Sequence, residues 1–344
     1  MGRAVSTRMR LCTAQLGATF AAVLMVAATA AGQPAKHQPA KHQPAKKKAS
    51  APSPAALPCG DLVGFQVLLD RKGFSSGEID GKQGANFSRA LAAFQSARKL
   101  ATGTPDCPTW EALGGSSSDA TFTTYTITEA DLKGPFEPRI PPHLVDQAKL
   151  STLEYRSPAE LLAERFHISP ELLAQLNRGV PMAAGREIKV PKIEPFDPVS
   201  KPAADAAAGD LKIVVSKEES SLRAIRGDGT LVFYAPVSSG SVHDPLPPGN
   251  YKVLGVGWRP PFHYNPDLFW DAKPKDEKAK IPAGPNNPVG VVWISLDLEH
   301  YGIHGTPEPG HVGHTESHGC VRLTNWDAKK VASLVKPGTP VEFR

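Results

Sequence analysis

The densest cluster of chemically reactive residue types lies near the C-terminal end of the chain and ends on a cysteine. Five of the eleven histidines fall within the twenty-one residues that end on Cys320: His300, His304, His311, His314 and His318. A cysteine thiol at its ordinary pKa is only about 3% thiolate at neutral pH, and lowering that pKa to about 7 takes about 2 kcal/mol of anion stabilisation. Because a neighbouring imidazole can supply it, the cluster predicts a nucleophilic cysteine.

The spacing around Cys320 predicts which histidines lie close to its thiol. In an extended segment His318 and Cys320, at positions i and i+2, point to the same side, and "YGIHGT" brings His304 from another strand end. Gly319 allows close approach of the backbone, so N–H groups near Cys320 could bind an oxyanion. Two alternatives remain open at this point: a zinc site built from the same residues, although "HVGHTESHGC" does not match the common zinc spacings, and an inert buried thiol.

The start of the chain indicates the compartment of this sulfur. Arg3, Arg8 and Arg10 precede an uncharged run, residues 11–32, that closes on "AATAAG". A positive segment, an apolar core and small residues at the end predict an export signal over residues 1–31. The alternative is an uncleaved membrane anchor, since about twenty residues can span a bilayer.

If the chain is exported, its cysteines lie in an oxidising compartment, where disulfides can form. Cys12 lies within the predicted signal, which leaves Cys59, Cys107 and Cys320, an odd number. Cys59 and Cys107 flank one short helical module, and closing that loop would add about 3 to 4 kcal/mol of stability. We predict that these two form a disulfide and that Cys320 stays free.

Charge and composition define the segment that follows the signal. Residues 32–58 contain the repeat "QPAKHQPAKHQPAKKK" and an Ala/Pro-rich stretch, which predicts an extended, solvated tether. The formal charge of the whole chain is +5. The three signal arginines and five tether lysines exceed that total, so the remaining chain is slightly acidic. A surface of this charge does not favour nucleic acid as a partner.

The first two folded modules are predicted from their periodicity. Over residues 59–113, Leu, Phe and Ala recur at spacings of three and four, which predicts a small all-α module of three helices. Residues 121–193 have the order strand, two helices, strand, interrupted by an insertion at residues 133–156. This predicts an α+β middle module.

The rest of the chain changes character after a Pro/Ala-rich linker predicted at residues 194–210. Residues 211–344 contain short β-branched segments bounded by turn residues, such as "LKIVVS" and "VGVVWISL". A mainly β domain is expected, either a sandwich or a closed sheet. The chain as a whole is therefore predicted to be multidomain.

Resemblances to known families follow from particular residues. The order Gly73-Phe74, Ile79-Asp80-Gly81, Ala93-Phe94-Gln95 and Thr109-Trp110 is similar to the three-helix type of peptidoglycan-binding domain. The middle module resembles a LysM wall-binding module, with the insertion as a departure. Its alternative is a structural spacer.

The C-terminal domain has the most specific resemblance. "IHGT" followed by "SHGCVRLTNWDA" resembles the signature of L,D-transpeptidases of the YkuD type. "PLPPGNYKVLGVG", "FHYNPDLFW", "IPAGPNNPVGVVWISL" and "KPGTPVEF" also resemble that family, which implies a YkuD-like β-sandwich. Arg322 stands where a common form of the motif has asparagine, and Asn325 lies nearby.

The resemblance implies a thiol mechanism. Cys320 would attack the carbonyl between the L-centre of a diamino acid and the terminal D-alanine of a peptidoglycan stem tetrapeptide, and an amine would resolve the thioester. His304 is the implied base, with His318 orienting the site, and carbapenems are implied substrate mimics. Further candidates are Gly319 for the oxyanion and, for substrate binding, Ser317, Arg322, Gly305 and Asn325.

These predictions define the expected partners and the competing functions. The partner is peptidoglycan, both stem peptides and glycan, with a second stem or an envelope protein as acceptor. We expect a monomer without metal or cofactor, exported to the periplasm or cell wall. An L,D-carboxypeptidase would use the same residues, whereas a non-catalytic wall-binding protein should lack the intact Cys/His set.

Overall fold

A computed structural model provides the structure of the chain and describes residues 57–115, 121–205 and 210–344. The predicted signal peptide, nearly all of the predicted tether and part of the predicted linker at residues 194–210 lie outside these residues. Across the described ranges, no helix has both the length and the apolar character needed to cross a membrane.

The first module contains three helices: α1 (Leu62–Arg71), α2 (Ala85–Ala97) and α3 (Cys107–Ala112). The Asp61 carboxylate accepts a hydrogen bond from the Gly64 N–H at 2.7 Å and so caps α1. The structure joins Cys59 to Cys107 in a disulfide across 48 residues of sequence, the pairing predicted above. A loop of that length corresponds to about 4 kcal/mol of unfolded-state entropy, so the bridge fixes the short α3 to the start of the module.

The middle module pairs two strands and packs helices against them. Strand β1 (Phe122–Thr126) runs antiparallel to β2 (Glu187–Pro191). Between them lie α4 (Glu129–Lys133), α5 (Leu144–Gln147), α6 (Pro158–Arg165) and α7 (Pro170–Leu176). Ser157 and Ser169 cap α6 and α7, each followed by a proline at the first helical position. The predicted insertion contains α5; the likeness to LysM stays a prediction.

The C-terminal domain is mainly β, as predicted. Its strands are β3 (Leu211–Ser216), β4 (Ser221–Arg226), β5 (Leu231–Pro236), β6 (Ser238–Ser239), β7 (Gly249–Trp258), β8 (Phe262–Tyr264), β9 (Ala279–Ile281), β10 (Val292–Leu296), β11 (Gly302–His304), β12 (Val321–Arg322) and β13 (Pro340–Phe343), and its helix is α8 (Asn325–Leu334). Strands β8 and β9 form a separate hairpin.

The remaining nine strands form one sheet in the order β5-β4-β3-β13-β7-β10-β11-β12-β6. Strands β5 and β6 are at opposite ends of this order, yet only Val237 separates them in sequence. The sheet must therefore curl until its two edges approach each other. Of the two predicted arrangements, this is the closed sheet, and its interior holds a continuous apolar core that also packs against α8.

The three modules pack together through buried contacts. The first module forms a strand-like bridge to β5, in which the Ser75 N–H donates to the Tyr234 carbonyl and the Tyr234 N–H donates to the Gly73 carbonyl, both at 2.9 Å. Ser75 Oγ also donates to Asp327 Oδ2 at 2.9 Å. Burial raises the pKa of Asp327 to about 8. This buried carboxyl is therefore protonated through much of the neutral range.

The segment predicted to be a linker, residues 194–210, is in part packed against the protein. Phe196 is 4% exposed and joins the core of the C-terminal domain. Its N–H donates to the Arg165 carbonyl at 2.7 Å. The linker prediction is wrong for this part. Burial of the Phe196 side chain stabilises the packed segment by more than the loss of conformational entropy destabilises it.

Candidate active site

The site is built on two short neighbouring strands. Strands β11 and β12 pair in parallel, with Ile303 opposite Val321 and His304 opposite Arg322. Ile303 and Val321 are fully buried in the core. Because side chains alternate along a strand, His304 and Arg322 lie on the other face, and Cys320 directly precedes β12. The sequence motifs, eleven residues or more apart, are thereby brought side by side.

Gly319 shapes the chain immediately before the nucleophile. Its φ is +95°, a conformation that side-chain-bearing residues rarely adopt. A Cβ there would lie 2.8 Å from the Tyr301 ring. The backbone therefore bends at this point, and the prediction that an extended segment aligns His318 with Cys320 is wrong.

His318 instead belongs to a cluster with residues from the β8–β9 hairpin. Its Nε2 lies 2.9 Å from Asp271 Oδ1. Its ring centroid is 4.9 Å from that of Phe269 and 5.9 Å from that of Trp270. The orientation of His318 is therefore set by a carboxylate and two aromatic rings far away in sequence.

Cys320 is a free cysteine, and its sulfur lies 3.6 Å from the His300 carbonyl oxygen. The side chain is partly accessible, but the dense protein around it desolvates the sulfur. This desolvation raises the pKa of the thiol to about 11, although the Gly302 backbone and Arg322 act in the opposite direction. The expectation of a thiolate stabilised to a pKa of about 7 does not hold for the resting protein, because burial outweighs the nearby positive charge.

His304 is a buried, neutral imidazole. Its Nδ1 lies 2.6 Å from the Gly305 carbonyl oxygen, which can only accept, so Nδ1 carries the proton and Nε2 has the free lone pair. The ring stacks on Trp293 at 5.5 Å. Burial and then the charge of Arg322 lower the pKa of His304 to about 3. The resting site thus has a neutral thiol and a neutral imidazole whose Nε2 has a free lone pair.

Arg322 provides the positive charge of the site. Burial lowers the pKa of its guanidinium, while Glu308 and Cys320 act in the opposite direction. Its charge bears on both His304 and Cys320. Such a partly buried guanidinium is suited to bind a carboxylate.

Ser317 and Asn325 do not fit the predicted substrate-binding role. Ser317 is 5% exposed, and its Oγ donates to the Cys320 carbonyl at 2.6 Å and accepts from the Gly240 N–H at 2.8 Å. Asn325 is fully buried, and its side chain binds Glu164, the Pro285 carbonyl and the Val291 N–H. Both hold the backbone around the site instead.

Gly305 has a packing reason for being glycine. A Cβ at this position would lie 2.2 Å from Asn325 Oδ1. Its carbonyl fixes the tautomer of His304, as described above. Gly305 therefore helps to position the base, and its role in substrate binding stays a prediction.

The imidazole rings of two other histidines of the cluster pair with surface acids. His311 pairs with Glu308 at 3.1 Å, and His300 Nε2 lies 3.4 Å from Glu299, so that it is the carbonyl of His300 that contacts the Cys320 sulfur. Within residues 57–115, 121–205 and 210–344, no group of three or more His, Cys, Asp or Glu side chains is placed to share a metal ion.

Sequence reasoning gave no role to several residues near the site. Phe269, Trp270 and Asp271 stand in "FHYNPDLFWD", where two aromatic residues and an acid occur together in a loop. Lys217 Nζ donates to the Gly240 carbonyl at 2.6 Å and so supports the backbone that binds Ser317. The aromatic-acid loop was a detectable signal, whereas nothing local distinguishes Lys217.

The raised thiol pKa leads to a test of the resting site. We expect alkylation of Cys320 by iodoacetamide to accelerate from pH 7 to pH 10 without levelling, since a pKa of about 11 leaves about one thiol in ten thousand ionised at pH 7. Arg322→Gln should slow alkylation throughout this range because it removes a charge that lowers the thiol pKa. Intact-mass measurement against time gives both rates.

The matched control is Arg186→Gln, which changes an exposed arginine of the middle module. Its alkylation profile should equal that of the unchanged protein. A profile that levels off near pH 7 would contradict the burial of the thiol.

Comparison with known families agrees with this geometry. Residues 210–343 match the family model YkuD, described as the L,D-transpeptidase catalytic domain. Residues 61–113 match a model described as a peptidoglycan binding domain. The C-terminal domain is therefore an L,D-transpeptidase catalytic domain of the YkuD type, preceded by a peptidoglycan-binding domain. These two matches support an L,D-transpeptidase enzyme with peptidoglycan as a partner.

Individual matches give the extent of the similarity. The chain is 29% identical over 187 residues to a Bacillus licheniformis protein provisionally named L,D-transpeptidase YkuD, covering 54% of this chain and 92% of that protein. A Bacillus subtilis protein of the same name is 28% identical over 182 residues, covering 52% and 89%. The solved structure of Mycobacterium tuberculosis L,D-transpeptidase 1 is 16% identical with a TM-score of 0.30, covering 39% of this chain and 60% of that chain.

Proposed function

We propose that this chain is an exported L,D-transpeptidase that acts on peptidoglycan stem tetrapeptides through a thioester on Cys320. One observation supports the proposal: the paired strands β11 and β12 carry a histidine with an unprotonated Nε2 opposite a partly buried arginine, and a free cysteine directly precedes β12. Export to the periplasm or cell wall fits a peptidoglycan substrate and the predicted signal at residues 1–31.

In the first half of the reaction, Cys320 Sγ attacks the carbonyl carbon that links the L-centre of the diamino acid to the terminal D-alanine. The thiol proton passes to His304 Nε2 as the C–S bond forms, because neither group is charged at rest. When the C–N bond breaks, His304 returns the proton to the nitrogen of the leaving D-alanine. A thioester remains.

In the second half, an acceptor amine attacks the thioester carbonyl. His304 takes a proton from this amine, the C–S bond breaks, and the proton goes to the departing sulfur. The product is a new amide between the diamino acid and the acceptor, either a second stem peptide or an envelope protein. Arg322 binds a stem carboxylate, and backbone N–H groups at the Gly319 bend stabilise the oxyanion.

Purified muropeptides test this proposal. The full chain incubated with a disaccharide tetrapeptide should release D-alanine and form a cross-linked dimer, both detected by mass spectrometry. We expect the dimer because the site is largely desolvated, so that an acceptor amine can compete with water for the thioester. Release of D-alanine with no dimer would identify an L,D-carboxypeptidase, and loss of both products would contradict the proposed chemistry.

A further inference from the structure

The β8–β9 hairpin connects the active site to a distant part of the protein. The hairpin stands apart from the nine-stranded sheet, and the loop between its strands carries the three residues that contact His318. Each strand has only three residues. A two-stranded hairpin of this size is marginally stable by itself, so other contacts must hold it.

An apolar cluster supplies part of that support, and it comes from the insertion of the middle module, residues 133–156. Leu153 of the insertion is fully buried with Tyr264 and Ile281 of the hairpin. The partly buried members on both sides are Ile140, Leu144, Val145, Ala148, Leu150, Phe262, Phe269 and Ala279. Phe269 belongs to this cluster and also packs against the His318 ring. Phe269 packs against Tyr264 of the same cluster, so it links the cluster that the insertion shares with the hairpin to the His318 ring.

Polar contacts fix the same junction. His143 Nε2 lies 2.9 Å from Asp276 Oδ1, and the Tyr264 hydroxyl donates to Asp276 Oδ2 at 2.8 Å. The backbone of Leu153 makes two hydrogen bonds to the segment after β9, to the Ala283 carbonyl at 3.1 Å and from the Asn286 N–H at 2.9 Å. Because hydrogen bonds are directional, these contacts set the position of the hairpin as well as its stability.

We propose that the insertion is a positioning element of the active site, which holds the β8–β9 hairpin so that Asp271 and Phe269 orient His318. The claim that this arrangement affects the reaction rests on the proposed function. The claim that the insertion holds the hairpin does not. His143 acts through Asp276 and is a positioning residue. The middle module thereby takes part in the reaction whether or not it binds glycan.

The test compares His143→Leu with His143→Gln in the full chain. The leucine variant keeps apolar bulk but cannot donate to Asp276, whereas the glutamine amide can still reach it. Arg139→Ala is the matched control in the same insertion, because Arg139 is exposed and lies outside the contacts of His143 described above. Two quantities are measured: hydrogen exchange by peptide, and the rate at which a carbapenem acylates Cys320.

In His143→Leu, exchange should rise at least threefold in peptides from residues 262–281 and 314–320, with residues 211–216 unchanged. Acylation should slow three- to tenfold. His143→Gln and Arg139→Ala should stay near the unchanged protein in both measurements. A rise confined to residues 262–281, or slower acylation with no rise there, would overturn the proposal.

Two further outcomes are distinguishable. If His143→Leu unfolds globally, Val145→Ala replaces it, since it shortens one contact of the apolar cluster, and the same ordering of effects is expected. If the unchanged protein forms no carbapenem adduct, the proposed function fails. The hydrogen-exchange measurement then tests the positioning role by itself: exchange in His143→Leu should still rise in residues 262–281 and 314–320 together.

Discussion

Cys320→Ala is expected to remove every covalent step of this protein. A carbapenem presents a strained amide whose carbonyl can occupy the place of the stem peptide carbonyl, and the sulfur attacks both in the same way. The unchanged chain should therefore gain the mass of one carbapenem, and Cys320→Ala should gain none. Turnover of muropeptides should fall below detection in the same variant, since no other described cysteine is free.

Two controls separate lost chemistry from lost folding. Cys59→Ala/Cys107→Ala removes the disulfide, which lies in the first module, and should keep the adduct wherever the variant still folds. Cys320→Ala should still sediment with purified peptidoglycan, because residues 61–113, which match a peptidoglycan binding domain, are unchanged in it. An adduct that survives Cys320→Ala would falsify the thioester proposal.

His304→Ala is expected to have the second largest effect. Losing a general base costs about 10² to 10⁴ in rate, so acylation near neutral pH should fall by that factor. The loss should shrink as pH rises, because hydroxide then ionises a thiol whose pKa is about 11 and the missing base matters less. Rates of carbapenem acylation measured from pH 6 to pH 10 give the profile.

His311→Ala is the matched control for this experiment. His311 is an exposed histidine of the same loop that pairs with Glu308, so its removal should leave the profile unchanged. If His304→Ala leaves both the rate and its pH dependence as they were, activation of the thiol belongs to His318 instead.

The nucleophile and the disulfide were predictable because their signals are local. Cys320 stands inside a motif of adjacent residues, and Cys59 and Cys107 flank one module whose helices are visible in the spacing of Leu, Phe and Ala. The mainly β character of residues 211–344 follows from short β-branched runs, which need no tertiary information. Helix starts at Asp61, Ser157 and Ser169 are likewise set by the residue that caps them.

The roles of the polar residues around the thiol were not predictable in the same way. Asn325 is close to Cys320 in sequence, but its side chain binds Glu164 of the middle module, 161 residues away. Whether such a residue faces substrate or the interior depends on which elements pack beside it. Sequence distance gives no measure of that packing.

Residue types and motif spacing are enough to predict which sulfur is free, which histidine precedes it on a neighbouring strand and which class of reaction they support. Packing of the folded chain pairs His318 with Asp271, 47 residues away, and places the insertion against the hairpin that carries that acid. It also decided the charge state of the site, since burial keeps the Cys320 thiol and His304 neutral. Residue type and spacing fix which groups can react, whereas desolvation and long-range contacts, which set pKa values and orientation, exist only once the chain is packed.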